Sequence, residues 1–377
     1  MAKKQYQKPK KIKMRGITER LLVAGLILFC LCAAGFSLYM ILTNLGKFGL
    51  KHHAQNVVSQ EYAEKLNDEI TDTVSNVMDE DLQEETTKEL QPGQILVNGD
   101  VYQYNEDILT FLCMGVDSRN GITNIKTPGK GGQADAILLI VANPHTEQLQ
   151  VININRDSMV DIELYDTDGG YAGTETKQLA LQYAYGDGRV ESCELMEKAV
   201  SKLFYGIPIH GYIALDMESI PTINDSVGGV EVTVLEDMSK YKAGWSEGAG
   251  IKLTGSDALL YIREREDEST ELGSNVKRIE RQKQYLSVFA NKLKEKTKND
   301  ITFPLTLYAK VQKHMVTSLS VDEITYLVST LVGYDFSMEN VISIQGEMAM
   351  GEKNEEFYVE EEILRTFIID TFYETVE

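Results

Sequence analysis

The chain has 377 residues, a net charge of -21 and 43% hydrophobic residues, enough apolar material for one large domain with a sizeable core. Residues 1–20 nevertheless hold eight Lys and Arg against a single acid, Glu19, so the rest of the chain is strongly acidic. That balance excludes bulk nucleic-acid binding by the acidic part, because a phosphate backbone would be repelled. No period of 20–50 residues is present, which excludes a repeat array.

In chain order, the basic tail is followed by an uncharged run from Leu21 to Gly46. As a helix it spans the roughly 30 Å of bilayer hydrocarbon. The flanking bases place the N-terminus in the cytoplasm. Ala33, Ala34 and Gly35 are small, as at a signal-peptidase site, but the run is longer than an ordinary signal core and favours an uncleaved anchor. The expected location is the cell membrane, single-pass, with the C-terminal domain outside. Residues 47–103 are polar and read as a stalk, broken at Pro92-Gly93 and Asn98-Gly99. Residues 104–377 read as the outer domain.

Within it, ILTFLCMGV (108–116), AILLIVAN (136–143) and LQVININ (149–155) are strand candidates, the last two forming a hairpin. Helical stretches follow at 177–186 and 190–205, then strands at 207–217 and 227–234. Amphipathic helices are expected over 256–266, 276–295, 321–331 and 361–373. Mixed strands and helices with hairpins suit an α/β/α sandwich around a mixed sheet. Of the cysteines outside the apolar run, Cys113 lies in a strand candidate and Cys193 in a helix candidate. Two buried free thiols are favoured over a disulfide.

Two features carry chemistry. Asp117 and Asp135 sit at the ends of neighbouring strand candidates, where open sheets place ligands. Carboxylates without His or Cys suit a hard cation such as Mg²⁺ or Mn²⁺; solvated turn aspartates are the plain alternative. The second feature is the set Arg263, Arg265, Arg278 and Arg281, followed by Gln282. Arg278 and Arg281 are three apart and so share a helix face by spacing. Guanidinium forks hold phosphate bidentately, although the surrounding acids offer ion pairs instead. Arg156, after the third strand candidate, either points into the same cleft or pairs locally with Asp157.

These residues resemble the LytR–CpsA–Psr family of cell-wall enzymes. The likeness runs through FLCMGVDSR (111–119), QADAILLIVANPHTEQLQVININRDSMV (133–160), KQLALQYAYGDG (177–188), YGIPIHGYIALDMESIPTINDSVGGVEVTV (205–234), LTGSDALLYIRERED (253–267) and RIERQKQYL (278–286). It covers 107–295 well and the tail 296–377 more weakly. The resemblance implies transfer of a glycopolymer, of teichoic acid or capsular polysaccharide type, from an undecaprenyl-pyrophosphate carrier to peptidoglycan through a phosphodiester. It implies Mg²⁺ on Asp117 and Asp135 and catalysis at the pyrophosphate by Arg156, Arg263, Arg265 and Arg278. It implies substrate binding by Arg119, Arg281, Gln282 and Asn275, with a pyrophosphatase side activity. Two departures stand out. Gln133 occupies the place of a family arginine, with Lys130 nearby. Asn275 occupies the place of a family aspartate, and Lys277 that of a glycine. The alternative these departures raise is a non-catalytic polyprenyl-phosphate binder.

Overall fold

The structure is a computed structural model that describes residues 39–52, 66, 90–117, 122–264, 274–352 and 354–376. Its strands are β1 (Gln94–Val97), β2 (Asp100–Tyr104), β3 (Leu109–Val116), β4 (Ala134–Asn143), β5 (Gln148–Ile154), β6 (Met159–Tyr165), β7 (Tyr171–Gln178) and β8 (Tyr212–Asp216). They continue as β9 (Val230–Thr233), β10 (Gly250–Leu253), β11 (Met315–Thr317), β12 (Val341–Ser343), β13 (Gly346–Met350), β14 (Glu355–Val359) and β15 (Tyr373–Thr375). The helices are α1 (Val190–Leu203), α2 (Ile220–Ser226), α3 (Ser256–Arg263), α4 (Ser274–Asn299), α5 (Phe303–Val311), α6 (Val321–Leu331) and α7 (Glu361–Phe372). A further helical segment covers 39–52.

The central sheet has six strands in the order β11-β8-β3-β4-β5-β12. It is mixed: β3/β8 and β5/β12 are parallel, while β3/β4, β4/β5 and β8/β11 are antiparallel. Period-2 alternation sends its side chains to two different places. Leu112, Met114 and Val116 of β3 are buried in a core with Met196 and Val200 of α1 and Leu364, Ile368 and Phe372 of α7. The alternate residues Cys113 and Gly115, with Leu138 of β4 and Ile213 of β8, face a cavity roofed by α4, α5 and α6. The sandwich expected from sequence is therefore present, but one of its two layers is hollow. Cys113 and Cys193 are free thiols, one facing the cavity and the other in the opposite core. Burial pushes the Cys113 thiol up to about 12.

Local sequence explains several boundaries. Asn98 and Gly99 both have positive φ, 53° and 91°, as a two-residue hairpin loop of this type requires, so β1 and β2 pair directly. β2 also pairs with β15, which ties residues expected in the stalk to the C-terminus of the domain. Ser320 accepts from the Glu323 N–H and the Glu323 carboxylate accepts from the Ser320 N–H, a capping box that starts α6.

Other expectations need correction. The stretch 177–186 ends a strand and then forms a 3-10 turn, Leu179–Tyr185, because Gln178 pairs across to Met159. Only Tyr212–Asp216 of 207–217 is strand, since Ile207 and Ile209 pack into the core from a loop. The β6–β7 hairpin left no alternating signal because most of β7 is exposed on both faces. The apolar run expected as an anchor lies outside the described residues up to position 38; among the described residues no helix is long and apolar enough to cross a membrane.

Candidate active site

Three strand ends meet at one edge of the sheet. β3 and β4 are antiparallel, so the end of β3 lies beside the start of β4: Val116 pairs with Ala134, and the Asp117 N–H donates to the Gln133 carbonyl at 3.3 Å. A register irregularity between Gly115 and Val116 separates this end from the regular ladder. β5 runs back along β4 with Ile154 opposite Ile137, which delivers the following residues to Asp135. There the chain turns, with the Asn155 side chain accepting from the Asp157 N–H at 3.0 Å and the Asn155 carbonyl accepting from the Ser158 N–H at 3.1 Å.

The turn aims Arg156 across the strand ends. Its Nη1 donates to Asp135, its Nη2 donates to Gln133 Oε1 at 2.8 Å, and its Nε donates to Asp157 at 3.3 Å. The cleft and local-pair alternatives for Arg156 therefore coexist. Asp157, 5% exposed, also accepts from Gln178 Nε2 at 2.9 Å. Gln178 in turn donates to the Glu355 carbonyl at 2.7 Å, and the Phe357 N–H donates to the Asp157 carbonyl at 2.9 Å. Strand β14, from the weakly matching tail, thus buttresses the arginine. Asp157 and Gln178 are site residues that sequence reasoning did not assign. Asp157 was signalled by its place beside Arg156, while nothing in the sequence marks Gln178.

The helices bring the other groups. Asp135, Asn155, Arg156, Arg278 and Gln282 line one small void of about 20 Å³. It adjoins the large cavity of about 1400 Å³, whose walls include Gln133, Asp135, Arg156, Arg263, Arg278 and Gln282. Gln282 Nε2 donates to the Ile262 carbonyl at 3.0 Å and so fastens α4 to the last turn of α3, where Arg263 stands exposed. Lys240, Tyr241 and Lys283 also line the cavity and were not singled out by sequence. Asp117 is exposed beside Gln133 and is not part of the cavity wall. Arg119 and Arg265 lie outside the described residues, as does the side chain of Asn275.

Arg281 requires a correction. It is 1% exposed and does not reach the cavity, although spacing places it on the Arg278 face. It turns toward α3 and donates to the carbonyls of Tyr261 and Glu264, with its Nε 3.0 Å from Glu236 and its guanidinium over the Tyr261 ring. Burial pulls its pKa down from the ordinary arginine value, and the Glu236 carboxylate opposes that pull. Arg281 therefore holds the end of α3 that presents Arg263. Arg281→Met leaves the buried Glu236 with Lys277, 3.3 Å away, as its remaining cation, and is expected to destabilise the domain by about 3 kcal/mol, the low end for breaking a buried ion pair. Denaturant unfolding checks this, and the added change Glu236→Leu should recover part of the loss.

Comparison with known proteins adds to this geometry. The model of the LytR_cpsA_psr family matches residues 68–368. The polyisoprenyl-teichoic acid–peptidoglycan teichoic acid transferase TagV of Bacillus subtilis is 24% identical over 246 residues, covering 63% of this chain and 58% of that protein. The chain thus spans well under two thirds of that relative. The corresponding transferase TagU of Bacillus cereus is 27% identical over 238 residues, covering 63% of this chain and 68% of its own. The crystal structure of B. subtilis TagV superposes with a TM-score of 0.53 at 20% identity, over 71% of this chain and 98% of that one. The mixed α/β fold is shared with that structure.

Proposed function

The chain belongs to the LytR_cpsA_psr family, and on that premise we propose that it transfers a phosphate-linked glycopolymer from a polyprenyl-pyrophosphate carrier to peptidoglycan. The observation that carries the proposal is an apolar cavity of about 1400 Å³ opening beside Arg156, Arg263, Arg278 and Gln282. It exceeds the roughly 300–1,000 Å³ of an ordinary ligand pocket. Apolar walls next to several guanidinium groups suit a ligand with a long hydrocarbon tail and a diphosphate head. The names of the two transferases above support a teichoic acid as the polymer and a polyisoprenyl carrier as the lipid. A capsular polysaccharide is the other polymer class consistent with the site.

In the reaction a sugar hydroxyl of peptidoglycan attacks the phosphorus that carries the glycan. The bond from that phosphorus to the bridging oxygen breaks, and polyprenyl phosphate leaves with the bond's electron pair. The hydroxyl proton passes to water or to a phosphate oxygen, and the product is a phosphodiester. Arg156, Arg263, Arg278 and, in the same motif, Arg265 are assigned to hold the diphosphate and to stabilise charge building on its oxygens. Gln282 orients the α3–α4 corner, and the cavity walls keep the tail out of water.

A divalent cation fits the donor set. Among the described residues no group of three or more His, Cys, Asp or Glu could hold a metal. Mg²⁺, however, is commonly held by one or two carboxylates with substrate phosphates completing its shell. Asp117, at the end of β3, and Asp135, now bonded to Arg156, would hold it. When bound it would neutralise diphosphate charge. The cell membrane is the proposed location, with residues 21–46 as the anchor and the domain outside.

A second reading, a polyprenyl-phosphate binder without turnover, is favoured by one observation: two arms of the Arg156 fork are already occupied, by Asp135 and by the neutral Gln133. Gln133→Arg separates the two. An added charged hydrogen bond contributes about 1.5–3 kcal/mol, so diphosphate binding should tighten roughly tenfold or more. For a transferase, wild type turns over and the variant does so at lower donor concentration; for a binder, wild type shows no turnover at any donor concentration. Native mass spectrometry of the purified full chain with undecaprenyl pyrophosphate tests the binding claim. One lipid per chain is expected, with marked loss in Arg278→Ala. Equal retention by Arg278→Ala would count against the site.

A further inference from the structure

We propose that residues 39–52 and the start of α6 form a surface that seats the domain on a lipid bilayer, with the deep end of the cavity at the membrane. The proposal rests on the reading of 21–46 as the anchor. The helical segment 39–52 has two faces of different fate. One packs on the domain: Leu50 is fully buried with Leu109, Phe111, Leu319 and Leu327. Gly46 lies so close to α6 that a Cβ there would sit 2.3 Å from the Asp322 carbonyl oxygen, so only glycine permits the contact. Lys51 Nζ lies 2.9 Å from Asp107, and that hydrogen bond holds the Asp107 carboxyl below its usual range.

The other face is mostly apolar and exposed, with the His52 ring stacked on Phe48 at its end. Ile41, Leu45 and Phe48, spaced four and three apart, are 55%, 53% and 71% exposed. Val321, the first residue of α6, is 55% exposed close to Gly46. A helix that is apolar on both sides needs an apolar medium on the side its own domain leaves open. The medium is identified by continuity, because the chain is uncharged from Leu21 to Gly46 and Lys47 follows at once. That order places Phe48 and Val321 at headgroup depth.

The surface also touches the cavity. Ile140, Ile213, Leu319 and Ile324 belong both to the cavity wall and to the cluster around Leu50. The described residues that begin the expected stalk, up to position 52, pack against these side chains of the cavity wall. The proposed membrane face and the cavity therefore share these four side chains as a common wall.

The test uses the full chain in vesicles with bromine-labelled acyl chains and the native tryptophan replaced, Trp245→Phe. Phe48→Trp and Val321→Trp are then read separately by fluorescence quenching. Both probes should be quenched at least twofold. Adding Gly46→Leu, which forces the helix off α6, should abolish quenching of Val321→Trp and leave that of Phe48→Trp. Thermal unfolding of each variant confirms that the domain remains folded. Quenching of Phe48→Trp alone overturns the seating and spares the anchor. Quenching of neither overturns the anchor reading and the seating with it. A Val321→Trp emission that shifts with protein concentration and ignores bromine assigns the surface to a second copy and overturns the proposal.

Discussion

Arg156→Ala is expected to lower glycopolymer transfer by about 10²–10³-fold, the range seen when one preorganised charge-stabilising donor is removed. The effect should be large because the guanidinium contacts three side chains at once and joins the turn after β5 to the start of β4. It reaches Asp135 at the start of β4, Gln133 just before it, and Asp157 in its own turn. Arg156→Lys should recover little, since an ammonium cannot reproduce the fork. Part of any loss will be structural, because Asp157 is 5% exposed and, among the described residues, keeps only the Gln178 contact to its side chain. The double change Arg156→Ala with Asp157→Asn removes that buried charge. It should restore melting temperature without restoring transfer. Steady-state rates on a lipid-linked donor, with unfolding curves beside them, decide the matter; a wild-type rate in Arg156→Ala would remove this residue from the mechanism.

The second large effect concerns the cavity. Leu138 projects into it from the middle of β4, opposite Cys113 on β3 and Asn153 on β5. Leu138→Trp fills space that a hydrocarbon tail would occupy. Each methylene removed from burial loses about 0.8 kcal/mol, so excluding about four of them weakens binding by roughly a hundredfold. The prediction is specific to tail length. Affinity for an undecaprenyl pyrophosphate should fall by that amount, while a carrier of two or three isoprene units should bind as it does to wild type. Calorimetric titration with both lipids provides the check. An equal loss for the short carrier would mean that the substitution had damaged the headgroup site instead.

Much of the frame was legible because it rests on strong local signals. The runs around Leu112, Leu139 and Ile152 mark strands buried on both faces, and Ser320 with Glu323 marks the start of α6. The β6–β7 hairpin carried no such signal in β7, most of whose side chains are exposed. The site was legible where strand ends deliver residues, as for Asp135 and Arg156. It was misread where one helix packs on another. Spacing put Arg281 beside Arg278, but the contact with α3 claims Arg281 for the Tyr261 and Glu264 carbonyls. No local rule foretells Gln178, whose role depends on β14 arriving from far along the chain.

The same lesson applies to Gln133. In sequence it is a missing charge; in the structure it is a partner that steadies Arg156. Its replacement by arginine therefore adds a cation and removes a brace together. This is why the Gln133→Arg experiment must read binding and turnover separately.

The most direct test follows the phosphorus. The full chain in vesicles is given a polyprenyl-pyrophosphate-linked glycan, radiolabelled on the phosphate next to the sugar, together with peptidoglycan and Mg²⁺. The label is expected in a phosphodiester on peptidoglycan, with unlabelled polyprenyl phosphate released in equal amount, and Arg156→Ala should lower both by about 10²–10³-fold. Label that stays on a tightly bound lipid, or that leaves only as free phosphate, would contradict the proposed transfer.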